Sequence, residues 1–150
     1  MYDRILVPVD GSDTSNHGLR EALRLAKRLG AQLRLLHVVD PQLVYIDFGG
    51  MVNVSDYVES IRKAGREVLA EAVKIAEAEG VPTDAELREK NGGTVADLVL
   101  AEAKKWEAGM IVMGTHGRRG IRHLVLGSDA MGVVREAAIP VVLIRDPAAR

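Results

Sequence analysis

Met113-Gly114-Thr115-His116-Gly117 and, after nine further residues, Gly127-Ser128 are the residues of this chain best suited to hold an anion. The first group follows the apolar run Met110-Ile111-Val112-Met113. The second opens an apolar-periodic segment with Met131, Val134 and Ala138. The order is strand, glycine-bearing loop, second glycine, helix start. Glycine lets a backbone approach a ligand with no Cβ in the way. The unsatisfied N–H groups of a helix's first turn, aided by its dipole, then attract negative charge. This is the chemistry of a phosphate cradle, and a nucleotide is the first ligand it suggests. Arg118, Arg119, Arg122 and His123 lie in the spacer, either as a solvated loop or as flanks to a polyphosphate.

The elements that must position these residues follow from the hydrophobic pattern. Ile5-Leu6-Val7-Pro8-Val9 reads as a buried strand ending at the turn Asp10-Gly11-Ser12. A helix follows, with Leu19, Leu23, Ala26 and Leu29 on one face and Gly30 as a left-handed cap. Residues 32–39 form a second strand, ended by Asp40-Pro41. Residues 41–53, with Tyr45, Phe48 and Gly49-Gly50, have no period and read as a long lid or binding loop. A helix is expected over 55–79, with Val58, Ile61, Val68, Ala72 and Ile75 inward and Asp56 with Glu59 as a capping box. A third strand spans 83–88. Thr94 with Asp97 caps a helix carrying Val95, Leu98, Val99 and Trp106. The fourth strand is 110–113, the last helix starts near Gly127-Ser128, and Pro140-Val141-Val142-Leu143-Ile144 is the final strand.

Strands and helices thus alternate, and the strands are largely continuous apolar runs. That predicts one doubly wound α/β domain over 1–150, a parallel sheet covered on both faces. Such sheets bind ligands beyond the carboxyl ends of their strands. Pro8, Val9 and Asp10 would then share one edge with His37, Val38 and Asp40, with the loop from Met113 to Gly117, and with Gly127 and Ser128. Asp10 could accept from a ribose hydroxyl or help hold a hydrated Mg²⁺, or simply start a turn. Val38 could offer its backbone to a base edge, or only pack. Ser128 could donate to a phosphate, cap its helix, or both. His116 reads most simply as a surface histidine, and His37 as a core histidine satisfied by a backbone group.

The 150-residue chain has a net charge of −1, which gives no global case for nucleic-acid or membrane binding. It has no cysteine, so disulfides and thiolate metal sites are excluded and a cytoplasmic location is expected. The amino terminus has no signal-peptide layout, and no apolar run nears the roughly 20 residues needed to span a bilayer. A Walker A run, a dinucleotide fingerprint after the first strand, a G-x-S-x-G elbow and metal-ligand spacing are all missing. The sequence shows no recognisable machinery for hydrolysis or group transfer.

Gly114, Gly117, Gly127 and Ser128 satisfy the pattern G-x₂-G-x₉-G-[ST]. Together with the opening strand to Asp10-Gly11-Ser12, Leu36-His37-Val38 and the closing strand, they make the chain resemble the universal stress protein family, ATP-binding class, from about Tyr2 to Arg145. The resemblance implies a five-stranded parallel sheet of order 3-2-1-4-5. It implies ATP as ligand, with Pro8, Val9 and Asp10 on the ribose and adenine side and Val38 at the adenine edge. Met113, Gly114, Thr115 and Gly117 would line the ribose–phosphate loop, and Gly127 and Ser128 would hold the phosphates, with Asp129 and Ala130 next along. Asp129 departs from the family, where an uncharged residue is common after the serine. The resemblance also implies a homodimer, formed through the strand from Pro140 to Ile144. The expected role is a nucleotide-dependent regulatory switch in a stress response. The alternatives are a slow ATPase or self-phosphorylating protein, and a partner-binding module making little use of nucleotide.

Overall fold

The computed structural model describes residues 1–42, 53–116 and 126–147. Five strands, β1 (Arg4–Pro8), β2 (Gln32–Val39), β3 (Thr83–Glu89), β4 (Met110–Gly114) and β5 (Val141–Ile144), form one sheet in the order β3-β2-β1-β4-β5. Every neighbouring pair is parallel. Four helices connect them: α1 (Asp13–Leu29), α2 (Val54–Ala78), α3 (Val95–Lys105) and α4 (Ser128–Glu136). The expected α/β class and strand order are both found.

Side chains alternate across a strand, and β1 uses this to feed two cores. Ile5 and Val7 face Leu19, Leu23 and Ala26 of α1 and Leu69, Ala72 and Ala76 of α2. Leu6 faces the other way, onto Val99 and Ala103 of α3 and Ala130 and Val133 of α4. All strand carboxyl ends therefore point to one edge, and β1 and β4 part there as the connections leave to opposite faces.

Several helix expectations change on inspection. Leu29 is exposed, because α1 is already turning into its cap at Gly30, where φ is 67°. The start of α2 is capped by Asn53, whose side chain accepts from Ser55 N, and not by an Asp56–Glu59 box. Glu59 turns instead to Arg66 and Arg62. Gly65, Leu69, Ala72 and Ala76 are the buried residues of α2, with Val68 and Ile75 packed at their margin. Of the apolar-periodic residues after Gly127-Ser128, Met131 and Val134 on α4 and Ala138 just beyond it all lie exposed. The inward face is Ala130 and Val133. A Cβ at Gly132 would come 2.8 Å from Ala96 Cβ, so small residues set how closely α4 lies on α3. The strands shift by a residue at most. Val9 N still donates to Leu36 O just past β1, and Pro140 O accepts from Ile111 N just before β5. Thr94 and Asp97 form the reciprocal capping box expected at α3. Most of the predicted 41–53 loop falls outside the described residues.

Candidate functional site

Beyond the strand ends lies a cleft of about 940 Å³. Pro8, Val9, Asp10, Val38, Met113, Gly114, Thr115, Gly127, Ser128, Asp129 and Ala130 all line it. Every predicted site residue is therefore brought together except Gly117, which lies outside the described residues, as do Arg118, Arg119, Arg122 and His123.

The floor is built by strands of unequal length. Leu36 O accepts from Val9 N on the β1 side, and Val39 O accepts from Lys90 N on the β3 side. Peptides in a parallel strand point alternately to its two neighbours, so Val38, two residues past Leu36, points towards β1. The last β1–β2 register pair is Pro8 with Leu36. The Val38 peptide thus faces the opening where β1 has ended. His37 Nδ1 sits 2.7 Å from Val9 O, the backbone partner expected for a core histidine.

Asp10 closes the turn into α1. Its Oδ1 accepts from Ser12 N at 2.9 Å, and its own N–H donates to the buried Ser15 hydroxyl. The turn role is real, and it also fixes the carboxylate at the mouth of the cleft.

Gly114 and Gly127 serve the chain's own packing. A Cβ at Gly114 would lie 2.8 Å from Thr14 Cγ2 and 3.0 Å from Thr14 O, so its absence lets α1 press on the end of β4. A Cβ at Gly127 would lie 3.0 Å from Thr115 O, the oxygen that accepts from Gly127 N at 2.8 Å. Gly127 is the residue that caps α4, with no side-chain cap bond, and Ser128 is the first helical residue. Ser128 therefore does not play the capping role expected of it.

His116 differs from expectation as well. It is half-buried in the cleft wall, with Nδ1 3.0 Å from the hydroxyl of the buried Thr115. The sequence reading also missed a wall of α2. Tyr57, Ile61, Ala64 and Val68 line the cleft at helical spacing, a face visible in the sequence once the helix is known to overhang the strand ends. Lys90 and Asp40 pair at 2.6 Å and line the cleft between the ends of β2 and β3. Gly93 and Thr94 bring the start of α3 to the same cleft. Among the described residues no three His, Cys, Asp or Glu side chains gather to hold a metal.

A doubly wound parallel domain with a cleft where its two central strands part defines the class of this molecule. The chain belongs to the universal stress protein family, whose sequence profile matches residues 1–145. It is 34% identical over 149 residues to a universal stress protein of Methanocaldococcus jannaschii, covering 98% of this chain and 84% of that one. Among solved structures it is similar to a universal stress family protein from Burkholderia pseudomallei. That match has 35% identity, a TM-score of 0.77, and coverage of 95% of this chain and 96% of the other. It is also similar to the universal stress protein from Archaeoglobus fulgidus solved in complex with dAMP. There the identity is 29%, the TM-score 0.67, and the coverage 95% and 98%.

Proposed function

We propose that this protein binds an adenine nucleotide, ATP in its working state, in the cleft beyond the strand ends, and uses occupancy of that site as a regulatory signal within a dimer. The observation that carries the reading is the convergence of Asp10, Val38, Gly114 and Ser128 on one cleft. The dAMP complex of the Archaeoglobus relative supports the ligand class.

In this reading the Val38 N–H donates to adenine N1 and its C=O accepts from the N6 amino group. Tyr57 and Ile61 supply an apolar wall for the base. Asp10 accepts from the ribose, with Pro8 and Val9 beside it. Met113, Gly114, Thr115 and Gly117 carry the chain around the ribose and phosphates, which end on Gly127, Ser128, Asp129 and Ala130 at the start of α4. Mg²⁺ would arrive on the phosphates and meet the chain through water and a carboxylate such as Asp10, the usual habit of this ion. The site of action is the cytoplasm, where such nucleotides are held.

The second copy docks on β5. The two sheet edges differ: β3 reads Thr-Asp-Ala-Glu-Leu-Arg-Glu, whereas β5 is Val-Val-Leu-Ile. Charge blunts the first edge against pairing, whereas β5 carries no charged residue. Two β5 edges related by a twofold axis are self-complementary.

Titration calorimetry with ATP and GTP tests the base contact. Guanine presents an acceptor to the Val38 C=O and a donor to its N–H, so GTP is expected to bind roughly a hundredfold more weakly. Equal affinity for the two would sink the Val38 assignment.

A further inference from the structure

The ladder between β1 and β2 stops short at the floor of the cleft. Bonds in a parallel pair keep a fixed phase along the strands. Gln32 N donates to Asp3 O where the pair begins, and Val9 N donates to Leu36 O where it ends. The next bond in that phase runs from Val38 N to Val9 O. It is not made, and among the described residues Val38 N–H has no hydrogen-bond partner.

Val9 O has a different donor. His37 Nδ1 lies 2.7 Å from it. A carbonyl oxygen only accepts, so Nδ1 carries the proton in this contact. The side chain of His37 thus donates where the backbone of its neighbour would have done. Room for the ring comes from α2, because a Cβ at Gly65 would stand 3.0 Å from His37 Cδ2. The acceptor is held as well. Val9 O belongs to the peptide whose N–H, that of Asp10, donates to the buried Ser15 hydroxyl at 3.1 Å. Side chains therefore fix both ends of the Val9–Asp10 peptide.

We propose that His37 is a positioning residue for base recognition. Its Nδ1–H satisfies Val9 O in place of Val38 N–H, and so keeps that N–H as a donor for a ligand in the cleft. This rests on the adenine reading above, in which Val38 N–H meets adenine N1. Without a donor at position 37, β1 and β2 zip further and Val38 N–H closes onto Val9 O. A ligand must then open that bond first, and the competent fraction of the protein falls.

The test is amide hydrogen exchange at Val38 by NMR in the ligand-free protein, paired with ATP calorimetry. It compares the wild type with His37→Leu, His37→Phe and His37→Asn. Leucine and phenylalanine have no donor, whereas asparagine sets an amide N–H where Nδ1 stands. His37→Leu and His37→Phe are expected to slow Val38 exchange about tenfold, one hydrogen bond's worth, and to lower ATP affinity by about the same factor. His37→Asn should stay near the wild type in both. A histidine that only packs the core predicts the opposite, since its loss would loosen the strand ends and speed exchange. Cooperative thermal melts check folding, and the two donorless variants offer different shapes to the site. Val38 exchange that is unchanged or faster in both overturns the proposal, as does slower exchange with unchanged ATP affinity. So does a His37→Asn that behaves like His37→Leu. A wild type that binds no ATP overturns the nucleotide reading itself, and the recognition role of His37 with it, whatever the exchange pattern.

Discussion

Asp10 shows how one residue can hold two roles, and how the roles can be separated. Its Oδ1 accepts from Ser12 N to close the turn into α1. Asparagine keeps that acceptor and loses the charge; alanine loses both. Asp10→Asn is therefore expected to melt with the wild type while binding ATP more weakly. Asp10→Ala should weaken binding and also cost about 1 kcal/mol of stability through the lost turn bond. A binding isotherm and a thermal melt on both variants check this, and wild-type affinity in Asp10→Asn would remove Asp10 from the ribose contact. Val38 offers a complementary case. Its N–H points past the end of β1, so proline there removes a base-reading donor and not a ladder bond. Val38→Pro should lose at least about tenfold in ATP affinity, one hydrogen bond's worth in a desolvated site, with the sheet intact by circular dichroism. In the sequence Val38 was one of several residues at the strand ends, and only the family resemblance tied it to the base edge. His116 read as a surface histidine; its half-buried place follows Thr115, whose backbone bonds to Ile144 and Gly127 join residues far apart in sequence.

At the level of elements, most strands were legible because their apolar runs are near-continuous and are punctuated by Asp10-Gly11, Asp40-Pro41 and Pro140, whereas β3 shows only a weak alternation through Ala85 and Leu87. Helix faces were less so. The period of α4 admits two apolar stripes, one with Met131 and Val134 and one with Ala130 and Val133, and side-chain size does not choose between them. The buried stripe is Ala130 and Val133, with Gly132 close against Ala96 of α3. The cap at Asn53 was hidden at the boundary of an aperiodic stretch. Gly65 also drew no notice in a helix, yet a Cβ there would stand 2.8 Å from Val39 Cγ1 and 3.0 Å from both His37 Cδ2 and Leu87 Cδ1. Gly65→Leu should overpack this contact and cost about 1–3 kcal/mol, read as a lower midpoint in urea; an unchanged midpoint would contradict the close helix–sheet approach. The helices are also tied by surface charges. Arg66 holds the Glu59 carboxyl below its ordinary value of 4.5, Lys27 does so for Glu79, and Arg62 for Glu89. A carboxyl depressed in the folded state binds fewer protons there than in the unfolded chain. Its contribution is full above about 4.5 and is lost as pH falls below that. These groups are solvent-exposed, so the effect is small and salt-screened. The melting temperature should fall modestly between about pH 6 and about pH 3, and less so at high salt. A melting temperature that rises on acidification would contradict this.

For the molecule as a whole, the two sheet edges set what can assemble. The Ala96 side of α4, where Gly132 sits, faces α3. Met131 and Val134 are exposed on α4, whose Val133 shares a core cluster with Val141 and Leu143 of β5. A second copy on β5 would cover them. Val134→Glu, harmless to the monomer's core, is expected to convert a dimer to a monomer by sedimentation at micromolar concentration; a wild type already monomeric there would count against the dimer. The same helix begins at Ser128 in the cleft, so one rigid element joins the proposed ligand to the proposed partner. The central claim is that the cleft holds an adenine nucleotide. Its most direct measurement is mass spectrometry of the small molecules released on denaturing the purified protein, with ATP titrated into the stripped chain. The account predicts an adenine nucleotide approaching one per chain, or saturable ATP binding by the stripped chain that Val38→Pro weakens. No released nucleotide, together with no ATP binding at millimolar concentration, would contradict it.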